Sequence, residues 1–256
     1  MGTKREISKY RTLLSYYDDK KAPYEIQIES LFSGENSEKY INSLFHTERK
    51  NRKIKKCLDR ITPFRARHTV STYLLGLTIK DELQLDTRSW RRLPNENSSA
   101  GSFRLFWSWV CVFHDIGYYY ENRQSEYLNH LTIEELMENL KIQYNLLDVS
   151  PNANLIRKYY RKRISDSVID HGIVGALLLY DALMDMSQKG GLYSQIRQHE
   201  RFYTKICDTI ALHNMWRVTN ATIQIYKEYD LYELIPDEDN HHTYMGSASV
   251  AFARFL

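Results

Sequence analysis

Apolar positions along the chain recur mainly at the spacing of amphipathic helices. The first clear helix opens at Thr62, which suits the N-cap, with Pro63 in its first turn. Its apolar stripe follows the i, i+3, i+4, i+7 pattern and consists of Val70, Tyr73, Leu74 and Leu77. A second helix is predicted over the almost unbroken apolar stretch 103–113, and Gly117 suits its C′ position.

Three further helical patterns cover residues 125–144, 155–186 and 200–216. The composition of residues 85–101 predicts a loop, and the segment 148–154 separates the first two of these patterns. The chain has only 10 Gly and 5 Pro in 256 residues. Few turn formers in a chain of this length favour long helices over a β-sandwich, so the sequence predicts an all-α fold.

The overall composition indicates the cellular compartment of the protein more than its activity. The formal charge of +3 is too small to indicate nucleic-acid binding by itself. The 3 cysteines are far apart and odd in number, which predicts neither a disulfide framework nor a CxxC metal clip. The N-terminus lacks the apolar core of a signal peptide, and no stretch reaches the roughly 18 apolar residues of a membrane span. We therefore expect a cytoplasmic protein without a membrane partner.

Four of the 9 histidines lie on or beside the apolar face of a predicted helix. They are His68, His114, His171 and His213, and Asp115 directly follows the second of them. Each histidine alone would most simply be a core residue held by one hydrogen bond. Several neutral imidazoles and a carboxylate cannot all satisfy one another in a small volume, whereas one or two divalent cations can. Because helical bundles build such sites from facing helices, the pattern predicts a metal site.

The order His, His-Asp, His, His resembles that of the HD superfamily of metal-dependent phosphohydrolases. The segments RARHTV, FHDIGY, DHGIVGA and IALHNMW carry the resemblance. Variants with extra histidines are the most similar, namely HD-GYP cyclic dinucleotide phosphodiesterases and CRISPR-associated HD nucleases. The resemblance implies an HD-domain helical bundle over residues 61–256, with residues 1–60 as an N-terminal helical extension packed on that core.

Carried over residue by residue, the resemblance implies a ligand set for one or two ions. His68, His114 and Asp115 would bind a first metal. Asp115 would bridge to a second metal held by His171 and His213, and the His114–Asp115 pair would be catalytic. Histidine-rich sites suit Mn, Fe, Co, Ni or Zn better than Mg, which prefers oxygen ligands.

Two positions are expected to contact the substrate. Arg65 lies one turn before His68 on a similar face and could orient a phosphate. Tyr118 stands where relatives often have a lysine, so the phosphate contact of that lysine is missing. The run 157–163 mixes cations with tyrosines as a nucleotide-binding surface would, although a solvated helix face is the simpler interpretation.

The sequence departs from the family pattern at two further places. Some relatives have paired histidines where this chain has His213 and Asn214. The family's last ligand is an aspartate on the final core helix, and residues 246–256 have the pattern of the start of that helix. We expect the parent sequence to continue with an aspartate within about two helical turns of Leu256, and a further domain could follow. Three aspartates in a loop-like acidic segment are poorer substitutes: Asp230, Asp237 and Asp239.

The resemblance implies a phosphodiesterase or phosphohydrolase that attacks a phosphoester with a metal-activated water. A nucleotide or nucleic acid would be the substrate. Two alternatives stay open. One is a catalytically degenerate HD domain that binds a nucleotide or a protein partner without turnover. The other is a purely structural helical bundle in which core histidines are hydrogen-bonded.

Overall fold

The computed structural model of this chain describes it in separate ranges. These are residues 52–58, single positions between 60 and 80, and residues 99–123, 132–189, 196–197 and 199–215, with the isolated positions Gln224 and Glu228. Regular structure within these ranges is helical, and no strand occurs in them. The predicted all-α fold is confirmed.

The chain divides into two compact units, Met1–Val112 and Phe113–Leu256. The predicted boundary near residue 60 stays a prediction, because residues 1–51 of the expected N-terminal extension lie outside the described residues. Within the described ranges, none of the helices combines the length and the apolarity that crossing a bilayer requires. The predicted cytoplasmic setting stays a prediction.

In the first unit, helix α1 spans Arg52–Leu58 and helix α2 spans Ser99–Phe113, whose last residue opens the second unit. The predicted N-cap is present, since Thr62 Oγ1 accepts a hydrogen bond from the Arg65 N–H at 3.3 Å. Described positions between 64 and 80 are helical. Other members of the predicted apolar stripe lie outside the described residues, but its Tyr73 is buried.

The predicted loop over residues 85–101 is wrong at its end, because α2 begins at Ser99. Residues 99–101 are serine, alanine and glycine, and small residues of this kind next to the polar residues before them are typical of a loop. Serine and alanine are nevertheless tolerated in a first helical turn, and the apolar face that follows carries the helix. Residues 85–98 lie outside the described ones.

The described part of the second unit is mainly helical. Its elements are α3 (Tyr118–Glu121), α4 (Ile133–Asn139), a 3-10 turn (Leu146–Asp148), α5 (Ala153–Ser165), α6 (His171–Ser187) and α7 (Glu200–Leu212). Helix α6 is buried along its length except at Asp181 and Asp185, which are half-buried. It packs mainly against α7, so these two helices form the centre of the unit.

The prediction of one continuous helix over residues 155–186 is wrong. The chain turns between α5 and α6, where Ser167 has a φ of 60° and the Val168 N–H donates to Arg163 O at 3.0 Å. Asp170 then caps α6 with its side chain. The apolar residues keep a helical spacing through this turn. Their pattern therefore does not show that one helix ends and another begins here, which the polar residues bring about.

The helix predicted over residues 125–144 is shorter within the described range. Thr132 and Glu135 form a capping box at the start of α4, with hydrogen bonds of 3.1 Å and 2.6 Å. The helix ends at Asn139 because Lys141 adopts a φ of 53° and the Ile142 N–H donates back to Met137 O. The predicted break over residues 148–154 is confirmed by the 3-10 turn and the turn that precedes α5.

Candidate metal centre

The His114–Asp115 pair lies in the turn that follows α2. Both side chains are buried, with residue exposures of 1% and 2%. The expected C′ role of Gly117 is wrong, because α2 ends at Phe113 and Gly117 has a φ of −71°. Glycine is needed there for close approach instead, since a Cβ would lie 2.0 Å from the carbonyl oxygen of His171. The turn therefore lies directly against the start of α6.

His171 is the first residue of α6, and residues of the turn after α2 and of α3 contact its ring. Its ring stacks on Tyr118 with centroids 3.7 Å apart and planes at 19°. Its Nε2 lies 3.6 Å from Asp115 Oδ1, and its Nδ1 contacts Glu121 Oε2. The ring therefore has a fixed plane and two different carboxylates at its two nitrogens.

His213 directly follows the last residue of α7. Its Nδ1 lies 2.7 Å from the carbonyl oxygen of Ile210. A carbonyl oxygen only accepts, so Nδ1 carries the proton and Nε2 carries the lone pair. A Cβ at Gly172 would lie 2.7 Å from this Nδ1 and 2.6 Å from Ile210 O. The lack of a side chain at Gly172 therefore allows the start of α6 to lie close to the end of α7.

Asp115, His171 and His213 converge on one buried point. One ligand atom from each residue lies within 4.8 Å of the others. The His213 ring meets the rings of His114 and His171 edge-on, at centroid distances of 5.2 Å and 5.0 Å. Ligand atoms about 2 Å from one cation are roughly 3–4 Å apart, so a small contraction would close this set around an ion. Two imidazoles and one carboxylate suit a transition metal.

The protonation states of the site also favour a cation. Burial and the neighbouring His171 and His114 lower the pKa of His213 to about 3, so its imidazole is neutral at pH 7. Metals bind the neutral form of histidine. Burial alone would raise the pKa of Asp170, but His171 and Arg163 outweigh it and hold that pKa below the ordinary value. Anionic Asp170 accepts from Arg163 Nε at 3.0 Å.

The structure brings part of the expected site together. His114 Nε2 lies 3.1 Å from Asp115 Oδ1, and His171 and His213 complete the cluster. His68 and Arg65 belong to the first unit, where both are helical and half-buried, and their ligand and substrate roles stay predictions. The substrate role of Tyr118 also stays a prediction. The three substitute aspartates and residues 246–256 lie outside the described residues.

Sequence reasoning missed three residues that hold this cluster. Asp170 had a local signal, since an aspartate before an apolar run is typical of an N-cap. Asn214 Nδ2 lies 3.3 Å and 3.4 Å from the two carboxylate oxygens of Asp170 and 3.1 Å from His171 Nε2. Glu121 had no local signal, because its contact with His171 depends on how α3 packs against α6.

The basic run 157–163 does not form a mixed surface of cations and tyrosines. Tyr159 and Tyr160 are core residues, with exposures of 0% and 1%. Three of the cations form ion pairs: Arg157 with Glu134, Lys162 with Asp166, and Arg163 with Asp170. The interpretation as a base-stacking surface is therefore wrong, because the tyrosines face inward at helical spacing.

Comparison of the chain with protein-family models, with curated proteins and with solved structures finds no match. The resemblance to the HD superfamily thus rests on the order and chemistry of the site residues. Membership of that family stays a prediction. The chemistry of the donor set, by contrast, follows from the geometry above and fits a divalent cation.

Proposed function

We propose that this protein is a metal-dependent phosphohydrolase of the HD type, which hydrolyses a phosphoester of a nucleotide or nucleic acid. The convergence of Asp115, His171 and His213 in one buried cluster carries the proposal. A divalent cation would bind all three of these buried side chains at once. The HD-domain bundle is proposed with it, on the order of the histidines.

The residues of the chain divide the work of such a site. Asp115 Oδ1 lies close to Nε2 of both His114 and His171. The negative charge of this carboxylate would balance part of the positive charge of a bound ion. His213 offers a neutral Nε2, since its Nδ1 is bonded to Ile210 O. A bound divalent cation supplies positive charge for a phosphoryl oxygen and lowers the pKa of a coordinated water. Three protein ligands would leave at least one coordination position open.

The donor types also favour particular metals. Imidazole nitrogens suit Mn, Fe, Co, Ni and Zn, whereas Mg prefers an all-oxygen shell. The cluster has two imidazoles to one carboxylate, so the proposed cofactor is one of these transition metals. The other proposed ion, with His68 among its ligands, rests on the resemblance.

Metal analysis and phosphodiester hydrolysis test the proposal together. The protein would be purified without chelator, its metal measured by plasma mass spectrometry, and its activity measured on bis(p-nitrophenyl) phosphate, cyclic dinucleotides and single-stranded DNA. We expect bound transition metal, and hydrolysis that EDTA abolishes and the same metal restores. Both His114→Ala and Asp115→Asn should lose activity, while Asp148→Asn at an exposed position should not. Metal-bound protein inert on every phosphoester would contradict the proposal.

A degenerate HD domain is the second candidate, and two observations favour it. Asn214, at the place where some relatives have a second histidine, donates to Asp170. Tyr118, at the place of a lysine, covers the face of His171. Such a protein would bind nucleotides in equilibrium dialysis but would not hydrolyse them, whichever metal is added. A purely structural bundle would instead lose the same stability on joint replacement of His171 and His213 with or without EDTA.

A further inference from the structure

Glu121 ends α3 and contacts His171 through a single carboxylate oxygen. Its Oε2 accepts from the backbone N–H of His171 at 3.2 Å and also contacts Nδ1 of the same residue. The Glu121 side chain is 23% exposed, so it lies at the edge of the buried cluster. One oxygen thus holds both the backbone and the ring of a proposed metal ligand.

The backbone contact completes the start of α6. The first N–H groups of a helix have no acceptor within the helix. Asp170 Oδ1 accepts those of Gly172 and Ile173, at 2.9 Å and 3.2 Å. The N–H of His171, the first helical residue, donates to Glu121 instead. Glu121 therefore has a capping role in the fold, and its contact with the ring needs a test that capping alone would not affect.

The ring contact determines which nitrogen of His171 carries the proton. In the neutral ring, a carboxylate oxygen at Nδ1 favours the proton on Nδ1 and the lone pair on Nε2, and the Asn214 amide, a donor 3.1 Å from Nε2, favours the same tautomer. Nε2 is the nitrogen that faces Asp115 Oδ1 at 3.6 Å, inside the cluster. Histidine ligands of metals commonly donate their other N–H to a carboxylate, which orients the ring and makes the ligand nitrogen more basic.

Two further contacts restrain the same ring and its backbone. Tyr118 stacks on the ring, and Gly117 lies against the His171 carbonyl group. The segment 115–121 thus supplies a proposed metal ligand, a stacking partner, a backbone contact and the carboxylate at Nδ1. Three of these contacts act on the imidazole of His171, and the fourth acts on its backbone.

We propose that Glu121 is a positioning residue, which fixes His171 in the Nδ1–H tautomer and directs the Nε2 lone pair into the metal cluster. The effect on metal binding rests on the proposed function, whereas the tautomer is a property of the metal-free protein. Glu121 is not itself a ligand in this arrangement. It acts through the ring that it orients.

Glu121→Gln is the informative variant, because glutamine keeps an acceptor for the His171 N–H but can also donate to Nδ1. Long-range ¹H–¹⁵N spectra of the metal-free protein at about pH 8, assigned with His171→Gln, report the tautomer. We expect wild-type His171 to carry its proton on Nδ1, and Glu121→Gln to give a mixture of tautomers. Isothermal titration with Zn²⁺ should show a Kd raised about tenfold to a hundredfold in the variant.

Glu138→Gln is the matched control, since Glu138 is exposed on α4 and the chemical change is the same. It should leave the tautomer and the Zn²⁺ affinity unchanged, and melting curves should show that all variants are folded. A proton on Nε2 in the wild type would overturn the proposal. An unchanged tautomer or an unchanged Zn²⁺ affinity in Glu121→Gln would also overturn it. Wild-type protein that binds no divalent metal would overturn the proposed function instead, and the tautomer would still decide the role of Glu121.

Discussion

Asp115 Oδ1 and His171 Nε2 lie 3.6 Å apart in the buried cluster, although Asp115 belongs to the turn after α2 and His171 begins α6. The proton of His171 is assigned to its other nitrogen, so the facing atoms are both acceptors. Asn214 Nδ2 lies 3.1 Å from His171 Nε2, and His114 Nε2 lies 3.1 Å from Asp115 Oδ1. A cation would give the two acceptors one shared partner, so metal binding should add to the stability of the metal-free fold.

Added metal should stabilise the fold through Asp115. A ligand present at 100 times its Kd adds about 2.7 kcal/mol to the free energy of unfolding. We expect Zn²⁺ or Co²⁺ to produce such an increase in the wild type and little or none in Asp115→Asn, measured by denaturant unfolding with and without metal. Asp148→Asn, at an exposed position, should respond as the wild type does. Equal stabilisation of Asp115→Asn would remove Asp115 from the metal site.

Gly172→Ala should damage both stability and metal binding. Its Cβ would lie 2.6 Å from Ile210 O and 2.7 Å from His213 Nδ1, so α6 and the end of α7 must separate. Overpacking of this kind costs roughly 1–3 kcal/mol, and the shift of His213 should weaken Zn²⁺ binding. Denaturant unfolding and isothermal titration would measure the two effects.

Gly175→Ala is the matched control on the same helix. Its Cβ would lie 3.2 Å from the Ile116 side chain and 3.3 Å from Phe113 O, which asks for much smaller shifts. Alanine in place of glycine also favours a helix interior by about 1 kcal/mol, which offsets part of that cost. If Gly172→Ala were no worse than Gly175→Ala, the close approach at His213 would not be a constraint.

The sequence predicted which residues form the buried cluster more completely than it predicted the helices around them. The all-α class and the inward positions of His114, His171 and His213 follow from local periodicity, which a single helix carries by itself. The turn between α5 and α6 was concealed because Val168, His171, Gly175 and Leu178 keep the i, i+3, i+7, i+10 spacing of a single helix face across it. Glu121 could not be found, because its contact depends on packing between helices that no local pattern encodes.

Asp208 should make the fold weaken as the pH rises. Its carboxyl group is buried and contacts Ser150 Oγ at 2.5 Å and Asn152 Nδ2 at 2.8 Å. Burial raises its pKa from 3.8 to about 6, against the smaller opposite effect of these hydrogen bonds. A raised pKa means that the folded state favours the protonated form. The contribution is therefore present below the unfolded pKa of 3.8 and is lost as the pH rises toward about 6.

Comparison with Asp208→Asn isolates this contribution from those of other groups. A difference of about two pKa units corresponds to roughly 3 kcal/mol. The unfolding free energy of the wild type minus that of Asp208→Asn should fall by about this amount between about pH 3 and about pH 7, a range that passes beyond both pKa values, measured by urea unfolding at a series of pH values. Asp148→Asn should give a flat difference over the same range. A flat difference for Asp208→Asn would mean that Asp208 keeps an ordinary pKa in the folded state.

Metal stoichiometry tests the two-ion arrangement that the resemblance implies. It assigns His68 to a first ion, His213 to a second, and Asp115 to both. If each ion has its own histidines and shares the carboxylate, His68→Ala and His213→Ala should each lose one equivalent of metal, and Asp115→Asn should lose both. Mass spectrometry of native protein loaded with Co²⁺ would count the ions. His199→Ala, at the start of α7 and outside the cluster, should keep the wild-type count.

Loss of the same single ion in both His68→Ala and His213→Ala would show one shared metal. An unchanged count in His68→Ala would restrict the site to the cluster around His171.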